Sequence, residues 1–186
     1  MSKALLALLL PLLTLPYPLS ASERAIDSTH SRITIHVGKA GLLSAAGHEH
    51  EVSAPIAEGA IDDSEASHVW LRVVATRMTV LPEKDQEAVQ STMQKGVLES
   101  DKFPEIRFES TSVHKIDDGK WAVTGNLTLH GKTSSITVDV HEEAGAYVGE
   151  TSIRQTQFGI QPVRAAGGAV KVKDQLKIDF VIVAGK

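Results

Sequence analysis

The sequence predicts an all-β protein, an antiparallel barrel of about eight strands with one short α-helix. Apolar and polar residues alternate with a period of two through most of the chain, and turn residues separate these runs. A single segment carries a helical pattern instead. Apolar residues lie mainly on one face of each run, and closing such strands into a barrel removes unpaired sheet edges. A β-sandwich is the alternative.

The first residues follow a pattern typical of a secretory signal peptide. Lys3 precedes an apolar run that ends at Pro16, and small residues follow up to Ala21. This order of charged, apolar and small residues predicts cleavage near Ala21. A membrane anchor is the alternative, but a spanning helix needs about 20 apolar residues without such a proline. We therefore expect residues 1–21 to be a signal peptide and residues 22–186 to be one exported domain.

Composition excludes several classes of function. The chain has no cysteine, which excludes disulfides, thiolate metal sites and cysteine nucleophiles. Removing the predicted leader takes Lys3 with it and leaves 18 basic and 23 acidic residues, a formal charge of −5. Such a chain has no evident affinity for nucleic acid or an anionic membrane surface. No later stretch is apolar enough for stable membrane insertion, and a homodimer stays an open alternative.

The alternating runs predict the strands in chain order. Successive side chains of a strand point to opposite faces, so every second residue shares a face. A strand-like segment also runs from Val52 to Ile61. The apolar faces read Ile33, Ile35 and Val37; Val69, Leu71, Val73 and Ala75; Ile106 and Phe108; Val123, Leu127 and Leu129; Ile136, Val138 and Val140; and Leu176, Ile178, Phe180 and Ile182.

The helical exception is the segment Glu83–Glu99. It is rich in Glu, Gln, Lys and Ala, and it places Val89, Met93 and Val97 four residues apart. This spacing predicts one short helix with a narrow apolar stripe. Pro82, just before the segment, suits the start of a helix. We expect the helix to pack on the sheet as a lid that shapes one end of the barrel.

The interior of the predicted barrel decides the function. An eight-stranded barrel is either filled by side chains or holds one small ligand. The chain has only two Trp and four Phe, and the inward residues are mostly Val, Ile, Leu and Ala. Residues of this size leave room for a cavity, although they also interdigitate in filled cores. We expect an apolar ligand to contact Ile33, Ile35, Val37, Val69, Leu71, Val73, Phe108, Leu127, Leu129 and Phe180.

One dense polar cluster occupies Gly47–Glu51. In an extended segment His48 and His50 point to the same side, and such a pair presents two imidazoles to a divalent metal. Solvated histidines at a barrel mouth are the simpler interpretation, and a pH-sensitive gate is a third. No phosphate loop, nucleophile elbow or H-E-x-x-H motif is present. No motif therefore predicts an enzyme or catalytic residues.

Four segments form a combined pattern that is more specific than any one of them. They are Ile26–Ile33, Val97–Ser110 (VLESDKFPEIRFES), Gly125–Thr133 (GNLTLHGKT) and Gln157–Ile160 (QFGI). Together they resemble the YceI-like family of exported lipid- or polyisoprenoid-binding proteins. The resemblance spans essentially the whole predicted mature chain. It implies a lipocalin-like barrel over residues 22–186 whose lumen holds an isoprenoid tail or similar lipid, and a bacterial periplasmic or secreted location.

The sequence departs from the pattern of this family around residues 40–51, where many members carry a Gly-x-Phe step and this one carries Ala46–Glu51 (AGHEHE). A histidine-bearing mouth there favours a different lipid head group, a metal or a quinone-like ring. The leading hypothesis is a periplasmic or secreted carrier, not an enzyme, that needs no cofactor and holds a lipid or polyisoprenoid-like molecule in its lumen. The alternative is a metal-binding or stress-related protein that uses His48 and His50.

Overall fold

The computed structural model describes residues 23–40, 49–62, 64, 67–82, 85–165, 167 and 169–185. The predicted signal peptide lies outside these ranges, and so does His48. All strand pairs in the described chain are antiparallel, and they join into one sheet. The predicted all-β antiparallel architecture is confirmed.

The described ranges contain twelve strands rather than about eight. Eight of the twelve have seven residues or more, and the other four have two to four residues. A run that short shows no recognisable period of two, which is one reason why the sequence predicted fewer strands. The strands are β1 (Glu23–Ala25), β2 (Arg32–Ala40), β3 (His50–Ser53), β4 (Ile56–Asp62), β5 (His68–Val74), β6 (Thr79–Val80), β7 (Glu105–Asp117), β8 (Lys120–Leu129), β9 (Lys132–Glu143), β10 (Ala146–Arg154), β11 (Arg164–Ala165) and β12 (Val170–Ile182).

The eight long strands form a ring in the order β4, β5, β7, β8, β9, β10, β12 and β2. The ring closes because β2 pairs with β3, and β3 leads through Ala54 and Pro55 into β4. The Ala54 N–H donates to the Ile33 carbonyl at 3.0 Å. Pro55 has no N–H to continue this ladder. The segment 50–62 therefore pairs with β2 in its first half and with β5 in its second.

The helical segment covers one end of the barrel, which we call the helix end. Helix α1 (Gln86–Thr92) continues as a π-helical turn (Met93–Val97), so the helix occupies residues 86–97 of the predicted 83–99. Val89, Met93 and Val97 pack against the main core cluster, as the stripe predicted. No helix within the described ranges is long and apolar enough to cross a membrane.

Three glutamines at four-residue spacing fasten this helix to the chain before it. Gln86 Nε2 donates to the Val80 carbonyl at 2.6 Å. Gln90 accepts from the Val80 N–H at 2.7 Å and donates to the Met78 carbonyl at 2.9 Å. Gln94 Nε2 donates to the same Met78 carbonyl at 3.0 Å. These bonds fix the position of the helix, which an apolar stripe alone leaves free to slide.

Replacing Gln90 with alanine should lower the free energy of unfolding by about 1–2 kcal/mol. The substitution leaves the half-buried Val80 N–H without its side-chain acceptor and removes one of the two side-chain donors to the Met78 carbonyl, which keeps Gln94. Urea denaturation measures the loss, and hydrogen exchange at the Val80 amide should become faster. Ser91→Ala, at the exposed next position, is the control and should cost less than about 0.5 kcal/mol. Equal losses in both variants would contradict the role of Gln90.

Candidate ligand-binding cavity

An apolar cavity of about 350 Å³ lies inside the barrel. All eight long strands contribute to its wall, and nearly all the wall residues are aliphatic or aromatic. Directly opposed residues of neighbouring strands share a face. Leu71, Phe108 and Leu127 are opposed in this way across β5, β7 and β8. The inner faces of the strands therefore form a continuous apolar lining.

Nine of the ten predicted lumen residues line this cavity. Val37 does not, because it lies one step further along β2, where it packs against the main core cluster and borders a separate surface cavity. Six of the nine are only half-buried although they point inward, as expected for walls of a hollow interior. The nine are Ile33, Ile35, Val69, Leu71, Val73, Phe108, Leu127, Leu129 and Phe180.

Two inner-face glycines make room for the two phenylalanines among these residues. A Cβ built at Gly125 would lie 2.5 Å from Phe108 Cζ, and one at Gly149 would lie 2.5 Å from Phe180 Cζ. Each ring therefore occupies space at the wall that a side chain at Gly125 or Gly149 would otherwise fill. This arrangement keeps the rings out of the centre of the barrel, and it explains how a lumen with two phenylalanines stays open.

Polar and aromatic side chains line the cavity at the opposite end, which we call the mouth. Trp121 and Tyr147 form an edge-to-face pair with ring centroids 5.7 Å apart. Asp62 and His68 lie opposite each other on β4 and β5 and also line the cavity. The Arg24 guanidinium donates to the Tyr147 hydroxyl at 3.4 Å. The mouth thus places hydrogen-bonding groups beside an apolar tube, which suits a molecule with one polar end.

Tightly packed residues form the floor of the cavity at the helix end. Leu98, Met78 and Ile160 line it there and are 8%, 6% and 3% exposed. Phe158 belongs to the same core cluster and is fully buried. The sequence did not predict Leu98 or Met78 as lumen residues, because they lie outside the alternating runs. Both reach the cavity through the helical segment: Leu98 directly follows it, and Gln90 and Gln94 bind the Met78 carbonyl.

Segments that carry the family resemblance meet at the helix end. Glu99 Oε2 lies 2.7 Å from His130 Nε2, and the Phe103 and His130 rings contact each other at a tilt of 54°, with centroids 4.3 Å apart. Glu99 and His130 both have positive φ angles, of 44° and 52°. Positive φ is costly for residues other than glycine and persists where surrounding contacts enforce it. These segments therefore hold the chain after the helix against the β8–β9 turn.

A short 3₁₀ turn, Gln155–Phe158, carries Phe158 into the core, and Asp174 fixes its start. The Thr156 N–H and hydroxyl donate to the Asp174 carboxylate at 2.9 and 2.8 Å. The backbone bond first, and then the hydroxyl bond, hold the pKa of the Asp174 carboxyl below its ordinary value of 3.8. The ionised carboxylate is therefore the form that stabilises this turn.

Replacing Asp174 with asparagine should make stability less dependent on acid pH. A carboxyl whose folded pKa is lowered contributes stability above its unfolded value of 3.8 and loses it as the pH falls through the folded value. The difference in unfolding free energy between wild type and Asp174→Asn should thus be largest near neutral pH and shrink below about pH 4. Urea denaturation from pH 7 to 3 measures it. Asp101→Asn, at an exposed site, is the control; a constant difference at all pH values would contradict the prediction.

The predicted histidine pair falls only partly within the structure. His50 lies in β3 and is half-buried, whereas His48 is outside the described residues. His36 lies on the outer face, with Nε2 2.7 Å from Asp179 and Nδ1 3.2 Å from Glu51. Across the part of the chain that the structure describes, no three His, Asp or Glu side chains are grouped so that they would hold a metal ion.

Sequence comparisons match nearly the whole described chain. A profile of the YceI-like domain matches residues 25–184. A UPF0312 protein of Vibrio campbellii is 28% identical over 176 residues, which covers 87% of this chain and 89% of that protein. A UPF0312 protein of Shewanella oneidensis is 27% identical over 159 residues, which covers 78% of this chain and 81% of that protein.

Solved structures show the same fold. BcnA of Burkholderia cenocepacia superposes with a TM-score of 0.62 at 17% identity, over 84% of this chain and 98% of that one. A polyisoprenoid-binding domain of Saccharophagus degradans superposes with a TM-score of 0.60 at 14% identity, over 87% and 96%. At these identities the likeness concerns the fold alone, and the predicted lipocalin-like barrel is confirmed.

Proposed function

Since this chain belongs to the YceI-like family, we propose that it is a binding or carrier protein that holds a lipid or polyisoprenoid-like molecule in its barrel. The observation that carries the proposal is the apolar cavity of about 350 Å³. Its volume falls in the range of ligand sites, roughly 300–1,000 Å³. The name of the Saccharophagus degradans domain, a polyisoprenoid-binding domain of the same fold, also supports the proposal.

The lumen residues supply the affinity for an apolar tail. Each CH₂ group that leaves water for an apolar lining gains about 0.8 kcal/mol, so a tail needs few polar contacts to be held. We assign the tail contacts to the nine predicted residues that line the cavity, and the polar end of the ligand to the mouth near Asp62 and His68. Binding of this kind requires no catalytic group.

The place of action belongs to the same proposal. Residues 1–21 act as a cleaved signal peptide, and the protein works in the periplasm or outside the cell. The support is the order of charged, apolar and small residues in this segment. An apolar molecule that has to cross an aqueous compartment needs a carrier there, which fits the cavity.

Native mass spectrometry of the protein purified from cells tests the proposal. We expect the mature mass, cleaved near Ala21, with one bound apolar molecule. Protein refolded from urea without lipid is the control and should be empty, yet regain affinity for added prenyl alcohols. A mature protein that carries no apolar molecule from cells and binds no prenyl alcohol of 10 to 20 carbons would overturn the carrier function.

A further inference from the structure

We propose that Gln155 binds the ligand inside the lumen, and that the ligand carries a neutral hydroxyl group on the part that reaches the helix end. This inference rests on the proposed carrier function and specifies the chemistry of its ligand. The polar end at the mouth, near Asp62 and His68, is then one of two polar ends that an apolar chain joins.

Gln155 is a polar residue in an apolar part of the wall. It follows Ile153 of β10 by two positions, so the alternation of the strand carries it to the inner face, where it lines the cavity. Gln155 is only 4% exposed. Among the described wall residues away from the mouth, the other polar side chain is Thr151, whose hydroxyl donates to the Thr137 carbonyl at 3.1 Å. Gln155 is therefore the candidate for a polar contact deep in the lumen.

Only one half of the Gln155 amide has a partner in the protein. Its Nε2 donates to the Lys173 carbonyl at 2.8 Å, which fixes the orientation of the amide because a carbonyl oxygen pairs only with a donor. Within the described chain, no group donates to Gln155 Oε1. Among the described residues, the enclosed side-chain oxygen or nitrogen without a partner is Gln94 Oε1. Gln155 Oε1 is thus unpaired but still borders open space, and the open space that Gln155 lines is the cavity.

A purely structural role for Gln155 does not explain this oxygen. The bond from Nε2 already ties the turn to Lys173, and the Gln155 backbone carbonyl accepts from the Ile160 N–H at 3.1 Å. A buried acceptor that lacks a donor is costly, so a molecule in the cavity has to donate to it. In the empty lumen that molecule is a water, and a ligand that displaces the water has to replace its hydrogen bond.

The chemistry of the amide oxygen determines which group replaces the water. An amide oxygen only accepts hydrogen bonds, so the matching ligand group is a donor. Of the described wall residues, only Asp62 and His68 are ionisable, and both lie at the mouth. An ammonium or a carboxylate beside Gln155 would therefore be buried without an opposite charge, which is very costly. A hydroxyl is a small neutral donor that satisfies both conditions, and a site built for a hydroxyl discriminates against a methyl group in its place.

Linear 1-alkanols and the α,ω-diols of the same length test the proposal by calorimetry on the mature protein refolded without lipid. A diol donates at both ends, so at one length between about 12 and 16 carbons it should bind at least as tightly as the mono-alcohol. In a lumen without an acceptor, the second hydroxyl would be buried unpaired and would weaken binding by at least about tenfold. Diols that are tenfold weaker at every length would overturn the role of Gln155 and leave the carrier function intact. Absence of binding for all the alcohols would overturn both.

Gln155→Leu tests the assignment to this residue. The variant has no acceptor, so the ratio of diol affinity to mono-alcohol affinity should fall by at least about tenfold relative to wild type. Gln175→Leu, at an exposed position of β12 that does not line the cavity, is the matched control and should leave the ratio unchanged. If Gln155→Leu does not fold, the comparison of diols with mono-alcohols in the wild type still decides. A ratio that stays the same in folded Gln155→Leu would overturn the proposal.

Discussion

Replacing Phe158 with alanine should lower the free energy of unfolding by about 4 kcal/mol. Phe158 is 0% exposed and is one of the two largest fully buried side chains of the described residues. It lies in the core cluster that also contains Leu98 and Ile160. Truncating a buried phenylalanine costs about 3–5 kcal/mol, because the lost burial adds to the cost of the cavity left behind. Urea denaturation measures the change.

The exposed residue Ile116 supplies the control for this substitution. Ile116 is 60% exposed, so Ile116→Ala should cost less than about 0.5 kcal/mol. Phe158→Leu should recover part of the loss seen with alanine, because it refills part of the space. A loss below about 1 kcal/mol for Phe158→Ala would show that the turn carrying Phe158 contributes little to the core.

Replacing Gly125 with alanine should weaken both stability and ligand binding. The new Cβ would lie 2.5 and 2.7 Å from two carbons of the Phe108 ring and 2.6 Å from the Glu109 carbonyl oxygen. The Phe108 ring lines the cavity, so we expect the new Cβ to push it away from Gly125 and into the lumen. Overpacking of this kind costs about 1–3 kcal/mol. The displaced ring occupies space that a tail needs, so affinity for a 15-carbon prenyl alcohol should fall at least about tenfold.

A second glycine substitution is the matched control. A Cβ at Gly96, exposed on the helical segment, would have nothing within 4 Å. Gly96→Ala should leave affinity unchanged and raise stability by up to about 1 kcal/mol. The double variant Gly125→Ala with Phe108→Leu should regain affinity if the ring blocks the lumen. Loss of affinity that persists in the double variant would instead implicate the backbone contact at Glu109.

The fold was predictable because the long strands keep their period of two, but β10 was missed. Its inner face reads Tyr147, Gly149, Thr151 and Ile153, which includes only two apolar side chains. Gly149 is small because the Phe180 ring of β12 lies against it. That requirement arises between distant parts of the chain, so no local pattern reveals it.

The sequence predicted residues in the side walls of the cavity but not those at its two ends. Alternation alone placed nine of ten residues on the surface that lines the cavity. The sequence did not predict the floor residue Leu98, because the stripe has a spacing of four residues. The next position after Val97 in that stripe is Asp101, which is exposed. The π-helical turn before Leu98 is wider than an α turn and changes the phase of the helix. Leu98 therefore enters the core although it lies outside the predicted stripe.

The pairing of β2 with β12 has a consequence for how the chain folds. It joins His36 to Asp179, which are 143 positions apart. Strand β2, one of the first to be synthesised, therefore has no β12 to pair with until the last strand has been made. Contacts between such distant positions make folding slow, because a long loop has to close before they form. The ring therefore stays incomplete until the C-terminal strand has emerged from the ribosome. A chain that completes its fold so late stays unfolded long enough to be exported as an extended polypeptide, in keeping with the export that we propose.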